Sequence, residues 1–273
     1  MIWTQLKRQL KKIRFVTTLY GVWLALRARY RFKRAHLRFR DLAGFPSRFP
    51  LRSEDLFPCL SDNTGVTHID RHYVYHTAWA ARVLARTRPT EHIDVSSFVF
   101  FSTMVSAFVP IRFFDYRPVN LGLENLQSGF ADLNNLPFKT ESVKSISCMH
   151  VIEHIGLGRY GDALDPDGDL KAIAELKRVL SLGGQLLFVV PVGVPRIAFN
   201  AHRIYSYEQI IQYFFDLELE EFSLIPDVEE QGGLVLNAVP SVVLDMKYGC
   251  GCFLFCKPNA AASRTIYSDP LSA

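Results

Sequence analysis

Val143-Lys-Ser-Ile-Ser-Cys-Met149, the segment Leu170 to Leu180, and Gln185-Leu-Leu-Phe-Val-Val190 decide the fold. The first alternates polar and apolar residues, as a strand does. The second places Leu170, Ile173, Ala174, Leu176 and Leu180 on one side at helical spacing, and Gly183-Gly184 follows it where a C-terminal glycine cap would stand. The third is an unbroken apolar run closed by Pro191, the pattern of a strand buried on both faces. Strand, helix, strand at this spacing implies a parallel sheet with helices on both sides.

Upstream, His92-Ile-Asp-Val95 reads as a short buried strand. Phe98 to Phe108 reads as a helix by its length, and Ile111-Arg-Phe-Phe114 as a second strand ending on Asp115. Asp70 to Thr87 carries Tyr73, His76, Trp79, Ala80 and Val83 at helical spacing, and Pro89 stops it. Downstream, Glu218 to Leu224 and Cys252 to Cys256 read as an antiparallel edge pair. Residues 41–66, rich in Pro, Gly, Ser and Asp, read as an irregular linker. The expected division is a basic N-terminal helical extension with its linker over 1–66 and an α/β domain over 67–273.

Charge is unevenly spread along the 273 residues, although the net value is only +4. Lys7, Arg8, Lys11, Lys12, Arg14, Arg27, Arg29, Arg31, Lys33, Arg34, Arg38 and Arg40 all precede Asp41, the first acidic residue. Such asymmetry points to an anionic partner. Between Arg14 and Arg27 lies an apolar stretch, too short for a bilayer span of about 20 residues, and no small-x-small cleavage site follows it. Two readings fit residues 1–40. One is an interfacial helix making peripheral contact with the inner membrane face. The other is a helix packed on the domain with a solvated basic face. Charge confined to one end, with no aromatic-and-basic groove, argues against nucleic acid. Half the chain is hydrophobic, which excludes global disorder. Five cysteines, an odd count without a signal peptide, point to reduced thiols in the cytoplasm. Cys250-x-Cys252-x3-Cys256 lies in a strand-like run with no fourth ligand at zinc spacing, so buried apolar cysteines are the favoured reading.

Open parallel sheets bind ligands at the carboxyl ends of their strands. Asp115 stands there after the second strand, placed to accept from a ribose diol. Ala131-Asp-Leu-Asn-Asn-Leu-Pro-Phe138, Ser145-Ile-Ser-Cys-Met-His-Val-Ile-Glu-His-Ile155 and Ala174-Glu-Leu-Lys-Arg-Val-Leu-Ser-Leu-Gly-Gly-Gln-Leu187 follow in order. Together they resemble the central half of a class I S-adenosylmethionine (SAM) dependent methyltransferase, a Rossmann-like fold. Asp94-Val-Ser-Ser97, Phe114-Asp-Tyr-Arg-Pro118 and Asn200-x-His-Arg-Ile-Tyr205 resemble, more narrowly, an uncharacterised bacterial family encoded among surface-polysaccharide biosynthesis genes. The resemblance implies that Asp115 holds the SAM ribose. Asp132, with the Leu133 backbone, would meet the adenine, and Met149 and His150 would border the donor sulfur. Glu153 and His154 would start the next helix facing the acceptor, with His154, Glu153 and His150 as the catalytic candidates.

The resemblance breaks at one motif. The family's first loop reads Asp-x-Gly-x-Gly-x-Gly, and here Asp94-Val-Ser-Ser-Phe-Val-Phe100 puts Ser96, Phe98 and Phe100 at the glycine positions. Asp94 and Ser96 keep their places as cofactor candidates. A phenylalanine at either of the other two positions is expected to fill cofactor space. His72, Tyr73, His202 and Arg203 are the substrate-pocket candidates, Arg203 as an anion holder. His72 and His76 share a helix face at a spacing that can hold a metal, yet structural or pocket roles are favoured and no metal site is assigned. Asp162, Asp165, Asp167 and Asp169 read as a solvated loop capping the following helix. Two functions follow. One is a SAM-dependent methyltransferase acting on a sugar, glycan or other small-molecule acceptor in surface-polysaccharide biosynthesis. The other is a catalytically degenerate methyltransferase-like protein that binds or assembles partners at the inner membrane surface.

Overall fold

The computed structural model describes residues 2–43 and 49–259, with the side chains of the first helix described from Tyr20 onward. The side chains of Lys7, Arg8, Lys11, Lys12 and Arg14, and linker residues 44–48, lie outside the described residues. The chain forms two compact units, Met1–His68 and Ile69–Ala273. In the first, α1 (Ile2–Ala43) is one continuous helix that runs past the expected end of the basic segment into the linker. Trp23, Leu26, Tyr30 and Leu37 fall on one side of it and are exposed, and the Arg27 guanidinium lies 5.3 Å from the Trp23 ring centre. No helix among the described residues is long and apolar enough to cross a membrane.

In the second unit, α2 (Arg71–Thr87) starts at Asp70, whose carboxylate accepts from the Tyr73 N–H as an N-cap should. Then follow β1 (His92–Val95), α3 (Val99–Val105), β2 (Ile111–Asp115), β3 (Leu126–Phe130) and β4 (Val143–Met149). A 3-10 turn over Ile152–His154 and α4 (Gly168–Val179) lead to β5 (Leu180–Val192). A small hairpin of β6 (Arg196–Ala198) and β7 (His202–Ile204), then α5 (Tyr207–Tyr213), β8 (Glu218–Ile225) and β9 (Gly249–Cys256), complete it. The main sheet runs β3-β2-β1-β4-β5-β9-β8. The first five strands are parallel, and β9 is antiparallel to both neighbours. Counting only these seven strands, the order is 3-2-1-4-5-7-6 with the seventh reversed. This is the Rossmann-like class I methyltransferase fold.

β5 shows why the sheet must be covered twice. Leu186, Phe188 and Val190 enter one apolar core and Leu187 and Val189 the other, as the two-residue period of a strand dictates. α4 and α5 cover the first face with Leu176, Ile173 and Ile210, while α2 and α3 cover the second with Trp79, Leu84 and Phe101.

Two expectations are corrected. Gly183-Gly184 do not cap α4, which ends at Val179. They lie inside β5, where Gly183 adopts φ +68 and donates its N–H to the Lys257 carbonyl, and the β4–β5 register slips beside them. β8 and β9 form the expected antiparallel pair at the edge of the sheet, with β9 inside against β5 and β8 outermost. Glu153 and His154 stand in a 3-10 turn rather than at the start of an α-helix.

Asp94 also moves from its expected role. It is fully buried and does not border the cleft described below. Its two carboxylate oxygens accept from Ser102 of α3 at 2.5 Å and Ser147 of β4 at 2.6 Å, and His92 bonds Ser145 and Ser147 beside it. The carboxylate thus ties β1, β4 and α3 together behind the loop. Burial raises its pKa to about 6 in spite of the serine bonds. A carboxyl raised on folding stabilises the native state fully below its ordinary value of 3.8, and that contribution disappears as pH rises through 6. Asp94→Asn cannot ionise. The wild type should therefore lose on the order of 3 kcal/mol relative to this variant between pH 4 and 7, read from urea denaturation of both proteins across that range.

Candidate functional site

A cleft of about 490 Å³ opens at the carboxyl ends of β1, β2 and β4 and beside the turn after β3, a size suited to a cofactor or drug-sized ligand. Ser96, Asp115, Asp132, Leu133, Met149 and His150 all border it. Of the cofactor candidates read from the sequence, only Asp94 is absent from its lining.

The loop after β1 explains how the cleft stays open without glycines. Ser96 takes the left-handed conformation at φ +57, which costs a non-glycine residue about 1–2 kcal/mol, and its N–H is held by the Phe114 carbonyl at 2.7 Å. Phe98 has an ordinary backbone at φ −63. Its ring turns onto Tyr73, edge to face at 5.2 Å, and onto Phe100 at 5.1 Å. It forms a wall of the cleft, and Phe100 stands outside on α3, largely exposed. The expectation that these phenylalanines fill the cofactor space is corrected for Phe100, which lies outside the cleft lining, while Phe98 remains at the cleft.

Asp115 and Asp132 each commit one carboxylate oxygen locally. Asp115 accepts from the Arg117 N–H at 2.7 Å and Asp132 from the Asn134 N–H at 2.9 Å. These turns fix both side chains at the mouth of the cleft. Across from them, His150 sits at φ +56 immediately after β4. Its Nδ1 is 2.7 Å from Glu153 Oε1 and its Nε2 3.3 Å from Cys250 Sγ. One tautomer satisfies both contacts: Nδ1–H donates to the carboxylate, and Nε2 accepts from the thiol. Burial lowers the His150 pKa to about 4 and raises that of Glu153 to about 7.

His154 borders the cleft on the same side. Its Nδ1 lies 2.6 Å from the Ala201 carbonyl, so Nδ1 carries the proton and Nε2 keeps its lone pair. Burial holds its pKa below the usual value. Glu153 Oε1 lies 3.8 Å from that Nε2. Glu153 itself is buried behind the two histidines and outside the cleft lining. Gly156 then turns the chain at φ +79. A side chain there would come within 2.0 Å of the Asp165 carbonyl, so this glycine lets the 156–165 loop close under the cleft.

The substrate-pocket candidates separate. Tyr73 borders the cleft. His72 and His202 do not, but pack against Tyr248 at 4.9 Å each, and His72 also stacks on His150 at 5.3 Å. Arg203 is corrected outright. It is buried and donates to the carbonyls of Ile155 and Pro166 at 2.6 and 3.1 Å, with Nε 3.5 Å from Asp169. Its guanidinium is engaged by these partners and does not border the cleft. The same contacts bury Asp169, which also accepts from Tyr205. Asp162 accepts from the N–H groups of Gly156, Gly158 and Tyr160, so the acidic loop is internally bonded rather than merely solvated. Sequence reading missed Tyr248 and Tyr160 altogether and treated Cys250 as apolar filling. Only the proximity of β9 to β4 in space reveals the contact with His150.

A family model described as "Caenorhabditis protein of unknown function, DUF268" matches residues 132–237. No curated protein matches the sequence. Among solved structures, the chain is similar to the N-methyltransferase NodS from Bradyrhizobium japonicum WM9 in complex with S-adenosyl-L-homocysteine, at 14% identity over 74% of this chain and 92% of that one, TM-score 0.48. It is similar to the 1,6-didemethyltoxoflavin-N1-methyltransferase of Burkholderia thailandensis at 11% identity over 68% and 79%, TM-score 0.48. The YcgJ protein of Bacillus subtilis matches at 14% identity over 68% and 100%, TM-score 0.48.

Because Arg203 clasps the loop beneath the cleft, Arg203→Lys should destabilise the protein by about 3 kcal/mol, the usual loss on breaking a buried charged network. Chemical denaturation measures this. A variant of wild-type stability would return Arg203 to the substrate candidates.

Proposed function

We propose that the protein is a SAM-dependent methyltransferase whose acceptor is a hydroxyl or carboxyl of a sugar, glycan or related small molecule. The observation that carries this reading is the open cleft with Asp115 and Asp132 fixed at its mouth, in a sheet of class I methyltransferase order. The residues present fit the cofactor. The free oxygen of Asp115 suits a ribose diol and that of Asp132 an adenine amino group. Ser96 preserves the turn that a glycine would make, and Phe98 contributes an apolar wall to the cleft. Met149 and His150 border the donor sulfur in this reading.

When bound, SAM supplies an electrophilic methyl group. The chain supplies the base. His154 is neutral near pH 7 and presents Nε2, which takes the proton of the acceptor hydroxyl as its oxygen attacks. The Glu153 carboxylate 3.8 Å away favours the imidazolium that forms. His150 is the weaker candidate as base, since both its nitrogens are engaged. The acceptor class rests on the surface-polysaccharide family resemblance. It is helped by Tyr73, Tyr116 and Tyr160 around the cleft, which combine apolar faces with polar tips.

Calorimetry with SAM and S-adenosylhomocysteine tests the cofactor. Micromolar binding is expected, weakened at least tenfold in Asp115→Ala. Folded protein that gives no heat at millimolar ligand would sink the proposal. In an active preparation, His154→Ala should lower kcat by roughly 10²–10⁴ with little change in cofactor affinity.

The second reading, a degenerate binding or assembly protein at the inner membrane face, draws on the lost glycines and on α1. Trp23, Leu26 and Tyr30 stand exposed on one side of that helix among Arg27, Arg31 and Arg34, a composition suited to an anionic interface. Flotation with phosphatidylglycerol vesicles compares the full chain with one lacking residues 1–40. The full chain alone should float, and equal behaviour of the two rejects the membrane role.

A further inference from the structure

Two partial metal motifs in the sequence, His72 with His76 and Cys250 with Cys252, each fail alone for want of ligands. The fold takes one residue from each and adds a third. His72 stands in the first turn of α2, His150 immediately after β4, and Cys250 in β9. Their ligand atoms all lie within 4.8 Å of one another, and Cys250 Sγ to His150 Nε2 is 3.3 Å. A tetrahedral zinc about 2.0–2.1 Å from nitrogen and 2.3 Å from sulfur keeps such atoms roughly 3.3–3.6 Å apart. The Cys250–His150 pair is already near that spacing, and the His72 ligand atom lies within 4.8 Å of both.

The geometry points to a divalent transition-metal site, zinc foremost, formed by His72, His150 and Cys250 with a fourth position left to water. Imidazole with thiolate is a borderline-soft set that suits zinc and excludes magnesium or calcium. The outer contacts are those of a metal site as well. Glu153 Oε1 takes the other nitrogen of His150 at 2.7 Å, the carboxylate–histidine arrangement that orients a metal-bound imidazole, and the His72 ring packs on Tyr248. His72 and Cys250 stand on regular elements, and His150 is the first residue beyond β4. The same cluster also contains two buried polar atoms with no hydrogen-bond partner, Glu153 Oε2 and His76 Nε2, and the His76 ring meets His150 at 5.1 Å. Such orphans gather where a protein accommodates an ion or water. The thiol proton leaves to solvent when Cys250 binds the ion as thiolate. Metal binding stands apart from methyl transfer and does not require SAM.

The test uses the full-length, reduced, chelator-treated protein and Co²⁺ as the spectroscopic probe. One equivalent should produce intense d–d bands and a thiolate-to-cobalt charge-transfer band, both abolished by one equivalent of Zn²⁺. Cys59→Ser, which removes an exposed thiol elsewhere, should leave the spectrum unchanged. Cys250→Ser should lose the charge-transfer band, and Glu153→Gln should keep it while weakening Zn²⁺ affinity about 10–100-fold. His72 is only partly buried, so His72→Gln keeps the fold and should weaken Zn²⁺ at least tenfold even if Cys250→Ser fails to fold. No charge-transfer band, a band that survives Cys250→Ser, or unchanged affinity in His72→Gln overturns the site and leaves the Cys250–His150 contact as a plain hydrogen bond.

Discussion

Leu186, Phe188 and Val190 on one side of β5, with Leu187 and Val189 on the other, leave no face of that strand to water. A strand buried on both sides must pair any polar side chain internally, as Ser147 of β4 does with Asp94, and can offer polar groups to a ligand only at its ends. β4 obeys the same constraint through Ile146, Cys148 and Met149, and its first residue beyond the sheet is His150. The cleft therefore lies where the apolar rule stops applying, at the carboxyl ends. Its ligand-facing groups are the first polar side chains after β1, β2 and β4, together with Asp132 in the turn after β3.

The loop after β1 shows one structural task redistributed over several residues. A glycine-rich turn lets a cofactor approach the backbone because nothing projects from it. Here Ser96 accepts the left-handed backbone strain, and Asp94 anchors the turn from behind through Ser102 and Ser147. Tyr73 of α2 draws the Phe98 ring aside. The open cleft thus depends on α2, an element that no glycine motif would name. Asp94 becomes a buried charge whose ionisation opposes folding, which ties the shape of the loop to pH.

The central β4–α4–β5 unit was legible because its apolar residues recur at the strand and helix periods without interruption. Asp115 and Asp132 were legible because they end strands or turns next to recognisable runs. β3 was not, since Leu126-Gln-Ser-Gly-Phe130 carries no continuous apolar face and is only partly buried. The hairpin β6–β7 is too short to show a period. Gly183-Gly184 misled because a glycine pair after a helical pattern looks the same whether it caps the helix or bends the following strand. Arg203 misled because no local pattern tells a guanidinium that serves a ligand from one that serves the carbonyls of Ile155 and Pro166. The Cys250–His150 contact joins residues distant in the chain, so only β9 inserting beside β5 makes it.

That insertion also bears on the chemistry. β9 brings Cys250 against His150, and α2 brings the rings of His72 and Tyr73 against the same imidazole. His150 is thereby caught between a thiol, a carboxylate and two rings, and burial removes its basicity. His154, held only through Nδ1, keeps a basic nitrogen at the cleft. Four residues apart in sequence, the two histidines have different partners and, as proposed above, different tasks: metal binding for His150 and proton transfer for His154. Glu153 serves both, through one oxygen that contacts His150 directly and faces His154 at longer range. A change at Glu153 therefore disturbs both histidines, whereas a change at Cys250 disturbs His150 alone, and that asymmetry separates the two tasks experimentally.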